Sequence, residues 1–163
     1  MVDPLTYQRH SLTIMKDALA RGHKKAVVTG YVEGESMNPV LKRGDIISIR
    51  AISPEKIRLG DIVVFATNGA LCVHRLIMKI HRGGRFILIT KSDNALVIDR
   101  PFYDKKLLGK VVEIKKDVMT LNLESYSWTI INRILGLYHF LGVVARKRIK
   151  YLLTHFPLAR PHS

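Results

Sequence analysis

Between residues 26 and 114 the chain alternates short β-branched segments with turn residues, and this pattern constrains the fold more than any other feature. Segments 26–28, 45–49, 61–65, 71–77, 85–90 and 110–114 are rich in Val and Ile. Gly, Asp, Asn and Pro separate them, as at Lys42-Arg43-Gly44-Asp45, Leu59-Gly60-Asp61 and Arg82-Gly83-Gly84. That spacing predicts an all-β domain of hairpins and short strands. No helix-length crossover lies between the segments, which argues against a parallel α/β sheet.

The two ends read differently. Residues 5–21 suit a short amphipathic helix with Leu12, Met15 and Leu19 on one face, started at Asp3-Pro4 and stopped at Gly22. Residues 125–163 contain no acid but carry Arg133, Arg146, Lys147, Arg148, Lys150 and Arg160. There Ile130, Ile134, Leu137, Leu141 and Val144 recur at intervals of three and four, which marks one helix face. The expected organisation is therefore an N-terminal helical arm over 1–25, a catalytic β domain over 26–120 and a basic amphipathic helical appendage over 121–163.

At 163 residues the chain suits one domain with a short appendage, and 47% hydrophobic residues exclude a disordered chain. Against 13 Asp+Glu stand 27 Lys+Arg, a net charge of +14 that calls for an anionic neighbour. Charge alone does not choose among nucleic acid, an acidic membrane and an acidic peptide. The single cysteine, Cys72, lies in an apolar run and reads as a buried small hydrophobe, and no metal-binding spacing is present.

Three stretches carry residues fit for chemistry. Gly34-Glu35-Ser36-Met37-Asn38-Pro39 places a serine in a turn-rich connection just ahead of a strand. A nucleophile wants such a position, exposed and rigid, with backbone N–H groups able to face an oxyanion. In Leu71-Cys72-Val73-His74-Arg75, strand alternation puts Cys72 and His74 on one face and Val73 and Arg75 on the other. His74 is a candidate general base. Thr90-Lys91-Ser92-Asp93-Asn94, followed by Asp99, offers two carboxylates that could orient an imidazole or stabilise a loop. Taken singly, each stretch reads more readily as ordinary turn or strand chemistry.

In this order they resemble the signal peptidase superfamily, which also holds the LexA-like self-cleaving repressors. GESMNPVLKRGDIISIR is similar to that family's nucleophile box, LGDIVVF to the Gly-Asp strand that follows, and KSDNALVIDR to its late Asp-containing box. VHRLI falls where the family carries its general base. The resemblance covers about residues 27–112 and implies a mainly β, compact, antiparallel multi-sheet fold with peptidase activity. Bacterial signal peptidases and LexA-like proteins place a lysine at the base position. His74-Arg75 is similar instead to the pair of the archaeal and endoplasmic-reticulum enzymes. Carried over, Ser36 is the nucleophile and His74 the base. Asp99 orients the imidazole, and Asp93 supports that loop or shares the role. No metal or organic cofactor is implied, and the expected substrate is a peptide or preprotein cut through an acyl-enzyme.

The chain departs from the pattern at Ser92, Ala95 and Ile98, which stand for a glycine, an asparagine and an aspartate, so a degenerate, inactive site stays open. Residues 1–33 contain no apolar run near the ~20 residues that cross a bilayer, so the family's N-terminal anchor is not expected. Segment 125–145 contains Arg133, which costs about 2.5–3.5 kcal/mol deep in a span, and is not expected to cross either. It either lies on an anionic membrane or covers the β domain with its apolar stripe. With no signal-peptide core at the N-terminus, the expected location is cytoplasmic, with peripheral contact at the inner membrane face. A LexA-like self-cleaving regulator is the first alternative, although His74 replaces the lysine and no Ala-Gly precedes Ser36. A non-enzymatic basic module is the second. It leaves the ordered boxes unexplained, and nucleic acid is not an expected partner because no aromatic-interleaved basic patch is present.

Overall fold

The computed structural model describes residues 27–67 and 70–145. The expected N-terminal helix and the basic residues after Ala145 lie outside that range.

Eight strands form the described core: β1 (Val27–Tyr31), β2 (Ile46–Arg50), β3 (Ile62–Thr67), β4 (Ala70–Arg82), β5 (Arg85–Lys91), β6 (Phe102–Tyr103), β7 (Leu107–Lys115) and β8 (Thr120–Asn122). The order is β1-β2-β7-β3-β4-β5-β6, with β8 also paired to β7, and all pairings are antiparallel. The expectation of several sheets gives way to a single one, curled into a half-barrel. Its continuity comes from β7, which returns late in the chain to pair with both β2 and β3. A bulge between Leu76 and Met78 interrupts the β4–β5 register, and such bulges bend a strand and raise its twist.

Two turns repeat one device. In 42–45 and 58–61 the third residue is a glycine at φ 91° or 89°, which only glycine adopts without strain. The following aspartate closes each turn. Asp45 N–H donates to Lys42 O and Asp61 N–H to Arg58 O, while each carboxylate accepts the N–H three residues earlier at 2.8 Å. These are the Gly-Asp pairs of the sequence, and each launches a strand, β2 or β3. The β4–β5 hairpin turns through Gly83-Gly84, both at positive φ, as a two-residue loop that follows strand twist requires.

Among the described residues the sheet is followed by one α-helix, α1 (Tyr126–Ala145). Ser125 caps it, its Oγ accepting Trp128 N–H at 3.4 Å. The apolar stripe identified in the sequence does not face the sheet. Ile130, Ile134, Leu137, Leu141 and Val144 are all exposed, whereas Asn132, Gly136 and Val143 are buried. Backbone proximity explains the orientation. A Cβ on Gly136 would come within 2.6 Å of Gly60 Cα, so the helix lies almost directly on the 58–61 turn. Arg133 reinforces this contact by donating to Leu59 O and to Asp61.

Candidate active site

Ser36 sits in the connection between β1 and β2. Val32 N–H to Asp45 O and Gly44 N–H to Val32 O, each 2.9 Å, close that connection at its base. Within it, Met37 and Leu41 are buried in the main core cluster with Ile47, Ile49 and Val64. Burying such side chains contributes about 1.5–3 kcal/mol each. This apolar anchoring fixes the turn while Ser36 remains exposed.

His74 lies on β4 opposite Val63, and Cys72 opposite Phe65, so the two share a face as strand alternation requires. The Phe65 ring meets the imidazole edge-on at 6.0 Å. His74 Nδ1 lies 2.6 Å from Asp99 Oδ2, and Thr90 Oγ1 donates to that same oxygen at 2.6 Å. An ionised carboxylate only accepts, so it selects the Nδ1–H tautomer and leaves Nε2 as the ring's basic nitrogen. Asp99 is further fixed by its N–H donating to Thr90 O. Burial, and then the neighbouring Asp99 charge, push the Cys72 thiol up, so it stays a neutral thiol beside the imidazole.

Asp93 occupies a different environment. It accepts a two-pronged contact from Arg75, Nε to Oδ1 at 2.8 Å and Nη2 to Oδ2 at 2.7 Å. Arg75 is fully buried, and its Nη1 also donates to Gly60 O and to Asn132 Oδ1. His139, from α1, brings Nε2 to 3.2 Å from Asp93 Oδ1. Burial, and then the nearby Lys91, hold the His139 imidazole below its ordinary value, against the pull of Asp93.

One loop connects these groups. Its base is the Lys91–Ile98 bridge, Ser92 Oγ accepts Ala95 N–H, and Asn94 N–H donates to Ser36 O at 3.0 Å. The structure thus ties Ser36 to the loop through its main-chain carbonyl, Asp93 to Arg75, and Asp99 to His74. Among the described residues no hydrogen bond joins the Ser36 hydroxyl to His74. Such contacts commonly tighten only when substrate is bound. Thr90, Asn132 and His139 carry no signal in the sequence for these contacts, since Thr90 is an ordinary strand residue there and the α1 residues lie far along the chain from their partners.

A family match and curated relatives give this chain a serine-peptidase-like fold related to the LexA/signal-peptidase superfamily. The chain belongs to the Peptidase S24-like family, whose model matches residues 4–112. It is also similar to the signal peptidase complex catalytic subunit SEC11C of Canis lupus familiaris, 39% identical over 113 residues, 67% of this chain and 56% of that protein. The SEC11 subunit of Candida dubliniensis is 36% identical over 90 residues, 54% of this chain and 52% of that protein. That of Lodderomyces elongisporus is 40% identical over 73 residues, 44% and 43% of the two chains. The chain spans about half the length of the curated relatives it matches. Family membership supports peptidase activity in general.

Proposed function

We propose that this chain is a serine endopeptidase in which Ser36 is the nucleophile, His74 its general base and Asp99 the carboxylate that orients the base. The observation that carries the reading is the 2.6 Å contact between His74 Nδ1 and Asp99, made by the loop that also holds the Ser36 main chain. In the reaction, His74 Nε2 takes the Ser36 Oγ proton as the oxygen attacks the scissile carbonyl. The imidazolium then passes that proton to the leaving amine, and water hydrolyses the acyl-enzyme by the same base. Asp99 stabilises the imidazolium and does not itself take the proton. The Ser36 N–H and a neighbouring donor form the oxyanion site. The substrate is an extended leader or propeptide with small residues before the cut, lying as a strand beside the Ser36 turn.

A second reading has its own support. The matching family is the S24-like one, on the LexA side of the superfamily, and the match begins at residue 4, ahead of β1. This supports, as the second reading, a LexA-like self-cleaving regulator cut within its own N-terminal segment. The same Ser36 and His74 chemistry would then act in cis.

Intact-mass analysis of wild type, Ser36→Ala and His74→Ala tests both readings, each protein incubated alone and with Ala-rich leader peptides. Peptides cut by wild type only support the endopeptidase, and a shortened wild-type chain without added peptide supports self-cleavage. Cleavage that survives Ser36→Ala, or no cleavage by any of the three, contradicts the proposal.

A further inference from the structure

The outward face of α1 is unusual for a helix in water. None of its exposed positions bears a charged side chain. Tyr138 is 71% exposed, Ile134 61%, Leu141 55%, Leu137 48% and Val144 47%. The one cation of the helix, Arg133, is turned inward to Leu59 O and Asp61. From Ile130 to Val144 the stripe extends roughly 21 Å along the helix axis. A surface helix normally carries its charges on the face away from the core. Here the docked face is the polar and small one, built on Asn132, Gly136 and His139, and the apolar face is outermost.

We infer that this face docks on an anionic lipid bilayer, with α1 lying in the interface plane. Two observations select that occupant. The helix is not long and apolar enough to cross a membrane, and an apolar outward face over a polar docked one is the pattern of a helix lying in an interface. In the sequence, Arg146-Lys147-Arg148 follow the helix directly and residues 125–163 contain no acid, a charge pattern that complements anionic headgroups. A second copy is the competing occupant, because intervals of three and four also suit a coiled coil. Such a pair would bring two chains of net charge +14 together, and the charged flanking positions that steer coiled-coil pairing are missing. The opposite, docked side of the helix touches the candidate site, where Val143 packs on Ile77 and Ile89 beside Ile98 and His139 meets Asp93.

The test is co-sedimentation of the full chain with vesicles, using Ser36→Ala so that turnover plays no part and the outcome is independent of the proposed activity. Vesicles of phosphatidylcholine alone are compared with vesicles containing phosphatidylglycerol. The chain is expected to bind the anionic vesicles and to be released from them by salt. Replacing Arg146, Lys147 and Arg148 with serine weakens binding on the order of a hundredfold, at about 1 kcal/mol per basic residue. The double substitution Leu137→Asp with Leu141→Asp weakens it at least about tenfold. Both leucines are exposed, so the fold, checked by circular dichroism, is retained. Equal binding to neutral vesicles, binding unaffected by the leucine substitutions, or a concentration-dependent dimer with no vesicle binding would each overturn the inference.

Discussion

His74 and Arg75 are neighbours on β4, point to opposite faces, and each meets one aspartate of the same loop. The two pairs have different consequences. Asp99 accepts from both His74 and Thr90 at a partly exposed position, so Asp99→Asn should leave the fold intact while removing the acceptor that selects the Nδ1–H tautomer. In the proposed mechanism kcat then falls about 10⁴-fold with little change in KM, measured by steady-state kinetics on a cleaved peptide. Arg75 is completely buried, and Asp93 depends on it. Arg75→Met leaves that carboxylate buried without its cation and should cost about 3–5 kcal/mol of stability, read from urea denaturation. Position by position, Ser36, His74, Asp93 and Asp99 could be singled out in the sequence, and the separate faces of His74 and Arg75 followed from strand alternation. The partners did not follow. Arg75 meets Asn132, 57 residues away, and a polar contact of that span leaves no periodic trace.

Among the elements, the longer strands were legible because their Val and Ile runs are bounded by Gly-Asp and Gly-Gly turns. β6 and β8, two and three residues long, are too short to express a period of two. The helix shows what periodicity leaves out. Its apolar stripe was visible, but the docked side is set by Gly136 over Gly60 and by the Arg75–Asn132 bond, neither of which has an apolar signature. His139 is expected to make this docking dependent on pH. Burial, with Lys91 and Arg75 nearby, keeps its folded value below the ordinary 6.5, although Asp93 opposes the shift. The unfolded chain therefore binds more protons in the window between that lowered value and 6.5, and stability rises with pH across it. Falling pH should destabilise the docked helix progressively through this window. His139→Asn should flatten that part of the profile in urea midpoints taken from about pH 5 to about pH 8. An unchanged slope would assign the dependence to another group.

At the scale of the molecule, an all-β antiparallel class could be read from turn spacing, but a single continuous sheet could not. That sheet depends on β7 pairing with both β2 and β3, and segments so far apart in the chain give no local sign of it. The S24-like family match and the SEC11 relatives place the chain in one superfamily from its two sides, LexA-like and signal-peptidase-like. Both readings of the activity share one requirement, an activated Ser36, and this can be measured without knowing the substrate. Wild type, Ser36→Ala and His74→Ala are treated with an irreversible serine-reactive probe, and the modified residue is located by peptide mass mapping. One label is expected, on Ser36 in wild type, lost in Ser36→Ala and reduced to background in His74→Ala. A wild-type chain that takes up no label, or one whose label persists after Ser36→Ala, would contradict it.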